Sequence, residues 1–326
     1  MSQKRKEHIK KITSIGGSAL IEGIMMKGPK RTMIAGRLPN GEIYKEEMEF
    51  KSIGEKFPIL RKPVIRGLGG MIDSMSLSYK ALMISAEKSL EEGEETNEEP
   101  SKFEKWVDKV FGENFMKVLM IFASIIGVAL AIGLFFVLPT WLFNTSANAI
   151  GHGLVENRFA RSVLEGILRI VLFLAYIIAC SQMSDMKRVF KYHGAEHKTI
   201  FCYESEEELT VENVKKHTRF HPRCGTSFLV IMLLLGIIIG LFIPAINPFL
   251  RGAIKILLLP VTCGIGYELI KICGKYDNKI TAIIAAPGLW AQRITTKEPD
   301  AEMIEIAIAA MKEVIPEDGT DIVKGS

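Results

Sequence analysis

Val118 to Leu138 reads VLMIFASIIGVALAIGLFFVL and carries no charge along its length. A helix needs about 20 mostly apolar residues to cross the hydrocarbon of a bilayer. This stretch therefore predicts a transmembrane helix, ended by Pro139 and Trp141. Three further windows follow. Val163 to Ser181 holds Glu165 and Arg169 in its first turns. Phe228 to Ile243 is short, and Thr226 and Ser227 extend it to a span over 226–243. Gly252 to Ile272 is the weakest, because it contains Lys255, Pro260 and Glu268. The predicted class is an α-helical polytopic membrane protein of about four spans, with a small cytoplasmic α+β N-terminal part.

Composition agrees with that class once its distribution is considered. The 326 residues have mean hydropathy +0.21 and 48% hydrophobic residues, with the apolar ones gathered mid-chain. This excludes a soluble single domain and a disordered chain. Lys plus Arg is 41 against 37 Asp plus Glu, a net charge of +4 that is too mild to argue for nucleic acid. Five scattered cysteines without a CxxC pair exclude a disulfide scaffold. The polar start, Met1 to Lys11, runs into a stretch broken by Gly16, Gly17, Glu22 and Gly23, so no cleaved signal is expected.

Charge sets the expected topology. The segment 182–225 carries Lys187, Arg188, Lys191, Lys198, Lys215, Lys216, Arg219 and Arg223, and further lysines flank the first and last spans. The opposite side has Arg158, Arg161 and Arg251. The positive-inside rule then puts both termini and the 182–225 loop in the cytoplasm, in a multi-pass protein of the cell membrane with lipid as its first partner. A second copy of the chain or another membrane protein is a further possible partner.

Four regions are expected. Residues 1–92 form the cytoplasmic α+β part, with a hairpin of Thr32 to Arg37 and Glu42 to Phe50 turning at Asn40-Gly41 and a helix from Pro63 to about Leu90. The dense glycines of 15–29 read as a turn, and Arg66-Gly67-Leu68-Gly69-Gly70 as a partner packed on it. Residues 93–117 combine an acidic linker with an amphipathic helix whose apolar positions run from Phe103 to Phe115; it lies on the membrane or packs on the protein's own cytoplasmic part. Residues 118–272 form the membrane domain. Residues 273–326 form a cytoplasmic tail, broken at Pro287-Gly288, with a helix from Pro299 to Val314. No internal repeat is visible.

The chemistry concentrates in the 182–225 loop. In His193-Gly194-Ala195-Glu196-His197 two imidazoles stand one helical turn apart and can bind one metal, and the carboxylate beside them can act as a base on water. The string matches the H-x-x-E-H pattern of inverted zinc peptidases. His221 and Cys224, in His221-Pro222-Arg223-Cys224-Gly225, add an imidazole and a thiolate. All four would close a structural zinc site; three would leave one position open. Hydrogen-bonded or exposed histidines are the plain alternative, and His217 fits it. Glu268, one turn from the end of its span, is a distant candidate ligand or a partner of Lys271. Glu22 and Lys27 are the polar residues of the first glycine stretch, which matches neither a P-loop nor a dinucleotide fingerprint.

Gly16-Gly17-Ser18-Ala19-Leu20-Ile21-Glu22-Gly23-Ile24-Met25-Met26, Tyr192 to Thr199, His221 to Phe228 and Tyr267-Glu268-Leu269 together resemble the YqhQ-like bacterial membrane proteins, described as predicted metal-dependent enzymes of unknown function. The resemblance runs over most of the chain. It implies a metal-dependent enzyme. The residues themselves give the leading expectation, a hydrolase-like enzyme at the cytoplasmic face with a divalent metal such as zinc, bound by His193 and His197 and completed by His221 or Cys224, with Glu196 as general base. A non-catalytic assembly factor, scaffold, channel or transporter is the alternative.

Overall fold

Between Glu22 and Lys27 every residue is apolar or glycine, and this run forms one inner strand of the larger sheet. In the computed structural model the described residues are 11–62, 65–91, 115–146, 157–244, 248–276 and 278–325. They fall into two units, one made of Met1–Glu92, Ala175–Leu235 and Leu258–Ser326, the other of Gly93–Leu174 and Gly236–Leu257.

In the first unit β1 (Lys11–Thr13) pairs antiparallel with β6 (Ile322–Gly325). Strands β2 (Gly16–Leu20), β3 (Gly23–Lys27), β4 (Thr32–Arg37) and β5 (Ile43–Glu47) form an antiparallel sheet in that order. The β4–β5 hairpin agrees with the expectation from Asn40-Gly41. The stretch expected as a glycine-rich turn is instead the β2–β3 hairpin, in register Gly16↔Lys27 to Leu20↔Gly23. Its period of two is masked because both faces are buried. Ile24, Met26, Met33 and Ala35 face one core, shared with Tyr192, Ala195, Met303 and Ile306. Leu20, Met25 and Ile34 face the other, shared with Leu77 and Ala81. Each such side chain contributes roughly 1.5–3 kcal/mol on burial.

The layers come from α2 (Ile65–Glu91) on one face of the sheet, with α1 (Ile53–Lys56) before it. Helices α6 (Ser184–Glu204) and α12 (Ala301–Val314) cover the other face. Between them in sequence stand α3 (Phe115–Ile132), a π turn at Gly133–Val137, α4 (Leu138–Thr145) and α5 (Arg158–Cys180). After α6 come α7 (Val211–Lys216), α8 (Gly225–Phe242), α9 (Pro248–Leu257), α10 (Leu259–Lys275) and α11 (Lys279–Thr295).

Three helical stretches, Ile121–Thr145, Phe159–Cys180 and Gly225–Phe242, are long and apolar enough to cross a membrane. The fourth predicted span is not one straight helix: α9 and α10 meet at a 45° bend, and pass the same test only as a pair. Segment 182–225, read as a loop, is helical over most of its length as α6 and α7. Pro287-Gly288 does not break the tail. Helix α11 runs through it, and Gly288 lets that helix approach α8, since a Cβ there would lie 2.6 Å from Ser227 Cα. Nor does the second glycine cluster meet the first. Gly67 packs on α10, where a Cβ would stand 2.9 Å from Gly264 Cα. The acidic linker and the amphipathic helix expected over 93–117 fall almost wholly on residues outside those described. All five cysteines are free, as a reducing compartment would allow.

One buried ion pair ties the terminal strands to α6. Glu204, at its C-terminal end, is 1% exposed, accepts from Thr13 N at 3.0 Å and pairs with Arg223, whose Nη1 donates to the Thr13 carbonyl at 2.5 Å. Removing the cation leaves a buried carboxylate without its counter-charge. Arg223→Met should therefore cost about 3 kcal/mol, and adding Glu204→Gln should restore part of it. Chemical unfolding of the detergent-purified protein checks both; an unchanged midpoint for Arg223→Met alone would contradict the role given to the pair.

Candidate metal centre

Helix α6 carries the first ligands. His193 and His197 project from one face with ring centroids 4.4 Å apart. Both rings are oriented from behind. His193 Nδ1 lies 2.9 Å from the Thr295 carbonyl at the end of α11, and His197 Nδ1 lies 2.6 Å from the Arg219 carbonyl. A carbonyl only accepts, so each Nδ1 bears a proton and Nε2 is the nitrogen left to face the site. This is the outer-shell arrangement that orients metal-binding imidazoles.

Cys224 supplies the third group. It immediately precedes α8, where the Thr226 N–H points at its sulfur at 3.4 Å. Sγ lies 3.2 Å from His193 Nε2. One ring nitrogen from each of His193 and His197 and the Cys224 sulfur lie within 4.8 Å of one another. Burial opposes charge on the thiol, but the His193 and His197 imidazoles hold it well below the usual thiol range. Burial likewise opposes charge on His193, while the Cys224 sulfur, its hydrogen bond and Glu196 raise it to about 9. Without a metal, the two groups together favour an imidazolium–thiolate pair.

Glu196 sits on the adjacent face, 6% exposed. Its carboxylate accepts from the Gly17 backbone N–H, and burial pushes it above the ordinary carboxylate range against the pull of His193 and His197. It feels the charge of all three candidate ligands but is not one of the converging set.

Two glycines make room for this. A Cβ on Gly17 would lie 2.7 Å from the Met25 carbonyl and 3.0 Å from Glu196 Cγ and Cδ. A Cβ on Gly194 would lie 2.0 Å from the Lys297 carbonyl. The Lys297 N–H donates to the Phe190 carbonyl at 2.8 Å, so the strand-like stretch after α11 lies flat on α6.

The other sequence candidates stand apart. His221 is close, its ring centroid 5.4 Å from that of His197, but its Nδ1 accepts from Arg223 N at 3.3 Å and its Nε2 faces Arg223 Nη2. It is outside the converging set. Glu22 forms the tip of the β2–β3 hairpin in a left-handed conformation, φ 52°. Both its oxygens accept from Arg188, and Tyr192 donates to it at 3.3 Å, which fastens the hairpin to α6. Lys27 is lowered by burial and sits 4.4 Å from the Phe50 ring centroid. Glu268 takes a bidentate pair from Arg66, at 2.6 Å on each oxygen. His217 meets Cys202 and Glu207 in a second group. Burial and Glu207 push the Cys202 thiol up to about 11, which disfavours the thiolate a metal needs.

Sequence reasoning missed the residues that hold the centre in place. Gln292 is fully buried and clamps the His221–Cys224 turn. Its Oε1 accepts from His221 N at 2.8 Å, and its Nε2 donates to the His221 carbonyl at 2.7 Å and to Ser227 Oγ at 2.8 Å. Thr295 and Arg219 act only through their backbone carbonyls, which no side-chain motif reveals.

The model of the family "Protein of unknown function (DUF1385)" matches residues 62–317. The chain is 32% identical over 305 residues to the "Uncharacterized protein YqhQ" of Bacillus subtilis (strain 168), covering 92% of each sequence. No solved structure matches.

Gly194→Ala should disturb this site while Gly225→Ala, beside Cys224 but facing open space, should not. The first forces a methyl onto a backbone oxygen, at a cost of about 2 kcal/mol or more; the second should stay within about 0.5 kcal/mol of the parent. Thermal unfolding of the two variants side by side measures the difference, and equal stability would refute the close approach.

Proposed function

The chain belongs to the DUF1385, YqhQ-like family, and on that premise we propose that it is an integral membrane protein acting as a metal-dependent, hydrolase-like enzyme at the cytoplasmic face. The observation that carries the metal is the donor set. Both imidazoles have Nδ1–H on a backbone carbonyl, so two Nε2 atoms and one sulfur converge, and a metal would take the place of the protons between them. A single thiol proton cannot satisfy both rings. A divalent cation satisfies all three at once, and two nitrogens with one sulfur suit zinc.

His193, His197 and Cys224 would hold the ion. Three protein ligands leave a coordination position open, and the ion would supply Lewis acidity there at neutral pH. Glu196 would take the proton of an attacking water. Its raised proton affinity favours that role over permanent ionisation. His221, hydrogen-bonded to Arg223, would support the centre from beside it by packing on the Phe201 ring at 4.7 Å. The substrate class is left to the chemistry of the open position: a hydrolysable group presented at the membrane surface.

Membrane residence rests on the apolar helices. Ile121–Thr145 buries none of its apolar window inside the protein, and Ile121, Phe122, Ile125 and Leu130 all face outward. Lipid covers such a helix at least cost. With the basic residues gathered in 182–225, both termini would be cytoplasmic. A reporter that works only outside the cytoplasm should be silent when fused after Ser326 and active when inserted between Thr145 and Asn157. Activity at Ser326 would reverse the orientation.

The same geometry favours a second reading. His193, with Nδ1 on a carbonyl and Nε2 at 3.2 Å from a depressed thiol, is also a cysteine–histidine dyad. Elemental mass spectrometry separates the two. Protein purified without chelators should hold about one zinc, manganese or iron per chain, the stoichiometry of a single three-ligand site. His193→Ala/His197→Ala should lose it, and Glu196→Gln should keep it. No metal in the parent after re-addition, together with rapid alkylation of Cys224, would leave the dyad and end the metal reading.

A further inference from the structure

The second unit holds a charge imbalance that the metal centre does not use. Glu165 is fully buried on α5 and is the only acid among the described residues of that unit. Around it stand Arg161 Nε at 3.0 Å, Lys255 Nζ at 2.6 Å and Arg251 Nε at 3.4 Å. Arg251 is itself 0% exposed, and its remaining N–H groups go to Ser162 Oγ and to the carbonyls of Gly240, Ile243 and Pro244. Arg169, 6% exposed, is the fourth cation, within electrostatic reach of Glu165 and Arg251. Four cations against one carboxylate leave a formal surplus of three positive charges among apolar helices.

The unmet hydrogen bonds have the same sign. Arg169 Nε donates to the Phe135 carbonyl at 2.7 Å, but its Nη2 is buried without a partner. Asn144 accepts from Arg161 at 3.0 Å, and its Nδ2 is likewise buried without a partner. Both are donors, and both belong to the unit with the positive surplus. A buried N–H left unmade costs free energy, more so on a charged group. There is also room beside Arg169. A Cβ on Gly236 would meet nothing nearer than Arg169 Nη1 at 4.0 Å, and Gly240, one turn along α8, faces Ser162 and Arg251.

We propose that Arg169, beside the open space at Gly236 and in the positive field of Arg251 and Lys255, binds an oxyanion, and specifically a phosphate group. An unsatisfied guanidinium edge selects planar or tetrahedral oxygen acceptors, and Arg is the side chain best suited to pair a phosphate out of water. Neutralising Glu165 needs one of these cations, so the other three are left for a ligand. The phosphate can come from a phospholipid headgroup or from free phosphate. The site shares no residue with His193, His197 or Cys224, so the metal reading can fail without affecting it.

The test is thermal unfolding of the full-length protein in detergent. Three additions are compared: sodium phosphate against sodium chloride at matched ionic strength, dioleoyl phosphatidylglycerol, and dioleoylglycerol, which has the same chains and no phosphate. Native mass spectrometry reports retained phospholipid. The expected result is that phosphate, phosphatidylglycerol or both raise the unfolding temperature while chloride and dioleoylglycerol do not. Stabilisation by inorganic phosphate marks a free-anion site; stabilisation by phosphatidylglycerol alone marks a headgroup site. Arg169→Met should weaken the response about tenfold, the loss of one charge-assisted hydrogen bond. Gly236→Leu keeps every charge and fills the space, and should weaken it as much; it decides the matter if Arg169→Met does not fold. No response from the parent protein to either phosphate source, or a parental response from Gly236→Leu, would overturn the proposal.

Discussion

The candidate centre depends on how closely backbone can approach α6 from two sides. At Gly194 the Lys297 carbonyl sits where a methyl group would be, and at Gly17 strand β2 meets the Glu196 side chain. The first approach brings the end of α11 over the helix, so that the Thr295 carbonyl can orient His193. The second places an N–H on the Glu196 carboxylate in a site from which water is largely excluded. Neither contact is strong alone. Together they fix the height of both histidines and of the carboxylate relative to Cys224, which is positioned independently by Gln292 and by the start of α8.

What could be read in the sequence follows from which interactions are local. The apolar windows, the Asn40-Gly41 turn and the i, i+4 histidines are all set within a few residues, and the structure has helices or a hairpin at each. The β2–β3 hairpin was opaque because burial on both faces removes the polar alternation that marks a strand. Segment 182–225 looked like a loop because α6 spends its polar residues inward. Glu196, His197, Lys198 and Glu204 are all buried there, so its charges do not trace a solvent face. Pro287 reads as a helix end by propensity, yet Gly288 against Ser227 keeps α11 continuous by packing. Gln292, Glu204 and Arg66 act across 71, 191 and 202 residues of sequence, and no spacing rule reaches that far.

The arrangement also separates an open site from a closed one. From the sequence, His221 and Cys224 were equivalent candidates to complete a four-ligand site. Their backbone positions three residues apart give them different fates. Cys224 faces the histidines from the first turn of α8, whereas His221 is turned back onto its own loop by the Arg223 N–H and guanidinium. Arg223 is committed in turn to Glu204 and Thr13, so releasing His221 towards His197 would disturb the tie between the terminal strands and α6. The proposed metal would therefore be held by His193, His197 and Cys224 without breaking that tie, and would keep one position open.

The buried charges of the two units obey different bookkeeping. In the first unit Glu204, Glu268 and Glu22 each have one arginine, Arg223, Arg66 and Arg188, while the buried Asp73 and Asp321 are held by hydroxyl and backbone donors. Each pair joins segments distant in sequence, and each cation spends its remaining donors on carbonyls, on other side chains or in water. In the second unit one carboxylate serves three cations and a fourth stands beside it with an N–H unmet. A fold that needed only to neutralise Glu165 would have done so with Lys255 alone. Retaining three arginines in addition costs desolvation that their hydrogen bonds offset only in part, since Arg169 keeps one N–H unmet. The surplus is therefore better explained by something the unit binds than by anything it folds around.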